Sequence, residues 1–458
     1  MPCSICKMMA GMRSLCGMRR APRVAVRCLL LMMLLPACDG LSPTERQALL
    51  VLSPPSLPAP PADVTNRYAD DAAAAALGKT WFFETGFSGA LLDGDNDGGV
   101  HALGNKGDTG KVACAGCHQP EAGFLDGRTL GQQISLASGW GSRRAPSLLD
   151  VGQAKLVMWD GRHDALYNQP FGPIESTLEM NSSRLYVAQQ IFARFRAQYE
   201  AVFGPMPPLD DAARFPALDA VHTGCQPSSA DPKAACNGTR HGMPGDGAEY
   251  DSMTPDDQSA VTRVVVNFGK ALGAYERTLS CGTSRFDAWM HGSGTLSDEE
   301  QRGARLFVGK AGCTSCHSGP YMSDQAFHNL GMKPAVVAVV FLDANDHGAA
   351  TGLAAAVADP LNVAGVFSDG NDGRLVPPNS ASEGAFRTPT LRCVGKRPSL
   401  MHTGQLRTLD DAVGFHTRGG DANGYFGKNE LTALDLGPSD VAALSAFLRA
   451  LDRPGVTP

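Results

Sequence analysis

Two five-residue runs restrict this chain more than any other feature: CAGCH, Cys114 to His118, and CTSCH, Cys313 to His317. Two thiols three residues apart on one turn reach both vinyl groups of a single haem, and the adjacent histidine is held beneath the iron as an axial ligand. One such run would also suit a zinc or redox CxxC beside a chance histidine. Two in one chain point to c-type attachment, and the thioether links then use Cys114, Cys117, Cys313 and Cys316, leaving none of them as a reactive thiol. Two covalently bound haem c groups are expected, with His118 and His317 as iron ligands.

The surroundings of the two runs are alike: LGKTWFFETGFSG precedes the first and RGARLFVGKAG the second. Regular strand patterns are scarce. DQSAVTRVVVNFGKALGAYERTL and SRLYVAQQIFARFRAQYEAVF carry apolar residues at three- and four-residue spacing, the mark of amphipathic helices. The expected fold is mainly α, two cytochrome-c-like haem domains sharing an interface. A chain of 458 residues, 43% hydrophobic and 19% charged, is long enough for two such cores. Its net charge of -6 offers no basic surplus to hold a polyanion, so no nucleic-acid partner is expected.

At the N-terminus, Arg13, Arg19, Arg20, Arg23 and Arg27 precede a short apolar run from Cys28 to Leu35. That reads as an export signal, too short to span a bilayer. It ends in Leu35-Pro36-Ala37-Cys38, which resembles a bacterial lipobox; an ordinary secretory signal cleaved nearby is the alternative. The expected location is the periplasm, with contact to the membrane only through a lipid anchor. The domain reading is residues 1–38 as export signal, 39–63 as a Pro-rich tether, 64–256 as the first haem domain and 257–458 as the second. Cys225, Cys236, Cys281 and Cys393 lie outside both the signal and the haem runs. In an oxidising compartment they suit disulfides; the reading pairs Cys225 with Cys236 across a short loop and leaves Cys281 with Cys393.

Further segments carry a family resemblance: GFLDGRTL, RRAPSLLD, WDGR, QPFGPIESTLEM, the FHNLG after the second haem run, and AFRTPTLRCV. In this order, from about Leu77 to Leu451, the chain resembles the bacterial di-haem cytochrome c peroxidases and their MauG-type relatives. The resemblance implies that Trp159 lies between the haems and assists electron transfer. It makes Gln169 and Glu179 the distal pair at the haem that meets hydrogen peroxide. There the carboxylate moves a proton between the peroxide oxygens and the amide holds them. It also implies a small c-type cytochrome or cupredoxin as electron donor, or, for a MauG-like oxidase, a protein substrate. A plain electron-transfer cytochrome is a third possibility.

Several positions depart from the family pattern. Members activated by reduction have a histidine in the loop after the first haem run; here its position is Ser138, and no histidine occurs between His118 and His163. The first haem is thus expected to be open at rest, His163 being the nearest and unfavoured substitute ligand. Where the peroxidases supply a methionine and MauG a tyrosine to the second haem, RPSLMHTGQLRTLDDAVGFHTRGG puts His416, with Met401 and then His402 as fallbacks. The tryptophan that precedes the second haem run in MauG is replaced by Ala311-Gly312. Arg144 stands where the family has an asparagine that ligates calcium, which puts that site in doubt. The acidic run Asp93 to Gly99 begins like a calcium loop, but its twelfth position is Gly104, so a solvated turn is expected.

Overall fold

A computed structural model describes residues 40–454 apart from 97, 100, 129, 131–133, 226–239, 334–345, 423 and 425. The helices in chain order are α1 (Pro43–Leu52), α2 (Ala72–Phe82), α3 (Cys114–Cys117), α4 (Phe171–Glu175), α5 (Arg184–Phe203), α6 (Pro255–Glu276), α7 (Arg285–Met290), α8 (Asp298–Val308), α9 (Ala349–Ala358), α10 (Leu409–Thr417) and α11 (Pro438–Arg449). Extended pairing is slight among the described residues: β1 (Gly224–Cys225) with β2 (Arg240–His241), and β3 (Phe327–His328) with β4 (Phe386–Arg387), both antiparallel. The mainly helical expectation holds.

Local sequence chemistry starts these helices. Ser183, Thr254 and Ser297 accept hydrogen bonds from backbone N–H groups three residues on, and Pro255 and Pro438 occupy first-turn positions where a missing N–H costs nothing. Each half is then built on one crossed helix pair, α2 with α6 and α8 with α11. A glycine makes each crossing possible. A Cβ on Gly78 would overlap the Ala271 carbonyl, and one on Gly303 would overlap the Ala443 carbonyl. Aromatic rings fill in around the crossings: Trp81 stacks on Phe268 at 5.2 Å, and Phe307 meets Phe447 edge-on at 5.3 Å.

The domain limits need two corrections. The first core takes in Val261, Val264, Val265, Phe268, Leu272 and Tyr275, so α6 belongs to the first half and the junction falls after it, near Cys281, not at 256/257. The reason is that α6 is buried on every face from Val264 to Glu276, its polar Asn267, Lys270 and Glu276 included. Nor is 39–63 a free tether. Ser42 and Glu45 form a capping box, α1 follows, and its Leu49 and Leu52 enter the second core, while the Pro58 carbonyl accepts from the Tyr321 hydroxyl. The prolines lie beyond the helix, where they do not interrupt it.

Cys281 and Cys393 form a disulfide that ties the junction to the second half. Cys225 is disulfide-bonded as well, and its expected partner Cys236 lies outside the described residues, as does the export signal with its lipobox. No helix among the described residues is long and apolar enough to cross a membrane.

Candidate active site: two haem cavities with a shared wall

The two halves repeat one another in backbone detail. His118 Nδ1 donates to the Phe124 carbonyl at 3.0 Å, and His317 Nδ1 donates to the Met322 carbonyl at 2.9 Å. Phe124 and Met322 both take left-handed backbone, φ 57° and 50°, which turns their carbonyls to the rings. The bonds fix each tautomer and leave Nε2 for a metal. Burial depresses both imidazoles, that of His317 to about 4, so both are neutral and able to ligate.

Further along, RRAPSLLD and FRTPTLRC fold alike. Asp150 and Cys393 are left-handed at equivalent places, φ 60° and 57°, and so are Met158 and Met401, both at φ 70°. Trp159 and His402 are consequently counterparts, as are Arg144 and Arg387. They meet across a pseudo-twofold axis: the Arg144 N–H donates to the His402 carbonyl and the Arg387 N–H to the Trp159 carbonyl, each at 2.8 Å. The Trp159 indole N–H closes the exchange by donating to the Arg144 carbonyl at 2.8 Å.

This exchange forms a wall between two cavities. The first, about 160 Å³, is lined by Cys114, Cys117, His118, Gln169, Glu179, Arg162 and Glu276 among others. The second, about 530 Å³ and largely apolar, is lined by Cys313, Cys316, His317, Met401, His402 and His416. Trp159, Arg144 and Arg387 line both. Each cavity is thus lined by both cysteines and the histidine of one CxxCH run. The donor sets fit one covalently attached haem apiece.

The first cavity is the polar one. Burial raises the Glu179 carboxyl above its ordinary value, with Arg162 pulling the other way. Gln169 points its amide at the Met158 sulfur, 3.5 Å away. Arg162, unassigned from the sequence although WDGR was recognised, ion-pairs with Asp160, which is itself gripped by Arg143 at 2.6 Å. Gly161 inside this turn has φ 74° and no room for a side chain beside the Phe327 ring. Glu276 was also missed; among the described residues no hydrogen bond to its carboxyl occurs, and burial pushes it up to about 8. Only the wrapping of α6 against the haem run brings it here, so no local pattern announces it.

Neither position weighed as a cap for the first iron lines the first cavity. Ser138 is buried, its hydroxyl donates to the Ala90 carbonyl at 3.0 Å, and its N–H donates to the Glu179 carbonyl at 2.8 Å. The loop is thereby sewn to the distal segment, and neither Ser138 nor His163 is among the residues lining the first cavity. In the second cavity the last turn of α10 presents His416, its Nδ1 donating to the Ala412 carbonyl at 2.8 Å. His416 lies close enough to His317 to depress its protonation. His402 stacks on Phe386, ring centres 3.7 Å apart, and meets Trp159 edge-on at 6.4 Å, which makes it part of the wall. Arg144 donates its guanidinium to the Asp126 and Arg128 carbonyls, so positive charge is already in place where the family's calcium ligand would stand. The Asp93 run makes a local turn, the Asp93 carboxylate accepting from the Asp95 N–H.

A mainly helical chain with two CxxCH cavities and one shared wall defines a di-haem c-type protein. The profile of the family described as "Di-haem cytochrome c peroxidase" matches residues 72–223. The methylamine utilization protein MauG of Methylorubrum extorquens is 27% identical over 351 residues, covering 75% of this chain and 73% of that protein. The cytochrome-c peroxidase IdrP1 of Denitromonas iodatirespirans is 27% identical over 405 residues, covering 87% and 86%. In fold, the chain is similar to the diheme peroxidase BthA from Burkholderia thailandensis, with a TM-score of 0.58 at 21% identity over 86% of this chain and 90% of that one. Residues 72–223 thus match the di-haem cytochrome c peroxidase family, and the chain over most of its length is similar to cytochrome c peroxidases and to MauG.

Proposed function

We propose that this protein is a di-haem peroxidase that reduces hydrogen peroxide to water at the His118 haem. The observation that carries the reading is the convergence of Glu179, Gln169 and His118 on one cavity whose Trp159 wall also bounds the second. Haem bound at Cys114 and Cys117 would supply the redox centre at which peroxide takes up electrons. The chain's own residues manage the protons. Glu179 takes the proton from one peroxide oxygen and returns it to the other, so that the O–O bond breaks with water as the leaving group. Two electrons and two protons per peroxide then yield two waters. Gln169 holds the peroxide, and Arg162 offsets negative charge that develops beside Glu179. Ser138, bonded inward, leaves the first site open without prior reduction.

His416 together with His317 would hold the iron of the second haem, with Met401 and then His402 as alternatives; an imidazole pair favours the oxidised state. A small c-type cytochrome or cupredoxin would deliver electrons to the second haem, and these would cross by Trp159. The export signal and Cys38 support a periplasmic protein held by one lipid cluster. Arg144 argues against the family's calcium.

A MauG-like oxidase is the second reading, favoured by the similarity to MauG and the open first site. Against it, Ala311 and Gly312 line the second cavity where an aromatic relay would be needed. The test is steady-state consumption of peroxide with a reduced small cytochrome or cupredoxin. Sustained turnover supports the peroxidase; absence of turnover together with a covalent mass change in a co-purified protein supports the oxidase; neither result would leave an electron carrier.

A further inference from the structure

Most interior arginines of this protein are matched to a carboxylate: Arg128 to Asp126, Arg143 to Asp160 and Asp346, Arg184 to Glu175, Arg392 to Asp287. Arg387 is not. Its Nη1 donates to the Gln325 side-chain oxygen at 2.8 Å and its Nε to the Met158 carbonyl at 3.3 Å, both neutral acceptors. No ion pair to it occurs among the described residues, and the one nearby charge that acts on it is another cation, Arg397. Its remaining surface faces the two cavities.

A guanidinium carried into an interior without a counter-charge costs several kcal/mol, and an anion brought beside it offsets that cost. The partner chemistry is constrained on the page. It must be an anion, reach the wall between two haem cavities, and suit a planar fork of N–H donors, as a carboxylate does. Every haem brings two such carboxylates.

We propose that Arg387 binds a haem propionate at the wall between the two cavities and, by its charge, raises the midpoint potential of the haem that owns it. The inference rests on both cavities holding haem and is independent of peroxide chemistry. Met158 and Gln325 hold the fork in place, one from each half of the molecule. Since the Arg387 N–H also donates to the Trp159 carbonyl, the group that neutralises the propionate is fixed to the residue on the electron path.

The test uses the holoprotein with both haems and measures the two midpoint potentials by spectroelectrochemistry, together with the propionate bending bands in resonance Raman. In Arg387→Gln one couple is expected to fall by the equivalent of a tenfold or larger change in its reduction equilibrium, about 59 mV for one electron, and its propionate band to shift. Which couple moves says whether the first or the second haem supplies the carboxylate. Arg387→Lys, which keeps the charge and loses the fork, should restore most of the potential while leaving the band shifted. If Arg387→Gln retains two haems with both couples and bands unchanged, the proposal is wrong. Should that variant fail to hold its haems, an unshifted band in Arg387→Lys overturns it equally.

Discussion

The two haem cavities share a frame and differ in their furnishing. Both have the crossed helix pair with its glycine, the left-handed residue that aims a carbonyl at the proximal histidine, and the left-handed methionine beside the wall. On that frame the first cavity carries Glu179, Gln169, Arg162 and Glu276, while the second carries apolar side chains and a second imidazole, His416. One duplicated scaffold thus carries a cavity with two buried carboxyls and a larger, mostly apolar one, and the proposed function gives proton handling to the first and electron transfer to the second. Chemistry here is decided by a handful of side chains turned inward from a repeated backbone.

The comparison breaks most readily at Glu179. Glu179→Gln removes the proton carrier without altering shape, and peroxide turnover is expected to fall by about 10²–10⁴-fold, with the EPR signal of the second haem unchanged. If turnover is unaffected, the first cavity is not the proton-handling site. His416→Ala should do the reverse: the low-spin signal of the second haem alters and the high-spin signal of the first stays. An unaltered spectrum would move the ligand to Met401 or His402.

Stability variants probe the frame. Replacing Cys281 and Cys393 by serine releases a crosslink spanning 112 residues, and thermal or denaturant unfolding should register a loss of about 2–5 kcal/mol. Gly78→Ala and Gly303→Ala force the same overlap in each half, so each should cost about 1–3 kcal/mol. A large effect in one and none in the other would show that the two crossings are not equivalent.

A pH profile probes the first cavity alone. Glu276, with an ordinary value of 4.5 pushed up to about 8 by burial, is favoured neutral in the fold. Below pH 4.5 it is neutral folded or unfolded and costs nothing. As pH rises from 4.5 toward 8 the unfolded chain ionises first, so the native state loses stability across that window. Glu276→Gln should therefore match the parent at acid pH and become progressively the more stable of the two up to about pH 8, levelling off above it. Identical melting profiles at all pH values would mean that the carboxyl finds a partner in the haem-loaded cavity.

Much of this was legible in the chain. The haem runs, the helices α5 and α6, Trp159, Gln169 and Glu179 all announce themselves by local pattern or by family resemblance, and Trp159, Gln169 and Glu179 line the first cavity. The tether misled because proline content says where a helix cannot be, not that the residues ahead of it lack one. The domain limit misled because α6 looks like a fresh start, with Thr254, Pro255 and two acidic residues at its head. A capped helix start marks where a helix begins and is silent about which core it enters.

Sequence alone determined what depends on covalent spacing and local hydrogen bonding: two thioether sites, two proximal histidines, the helix caps and the absence of a histidine where a first-haem cap would be. Tertiary structure decided what depends on long-range approach. It set Trp159 against His402, lined both cavities with Arg144 and Arg387, brought Glu276 to the first cavity and His416 to the same cavity as His317, and paired Cys281 with Cys393. Those contacts join residues far apart in the chain, and no short-range periodicity encodes them; they follow from burying two duplicated cores against one another.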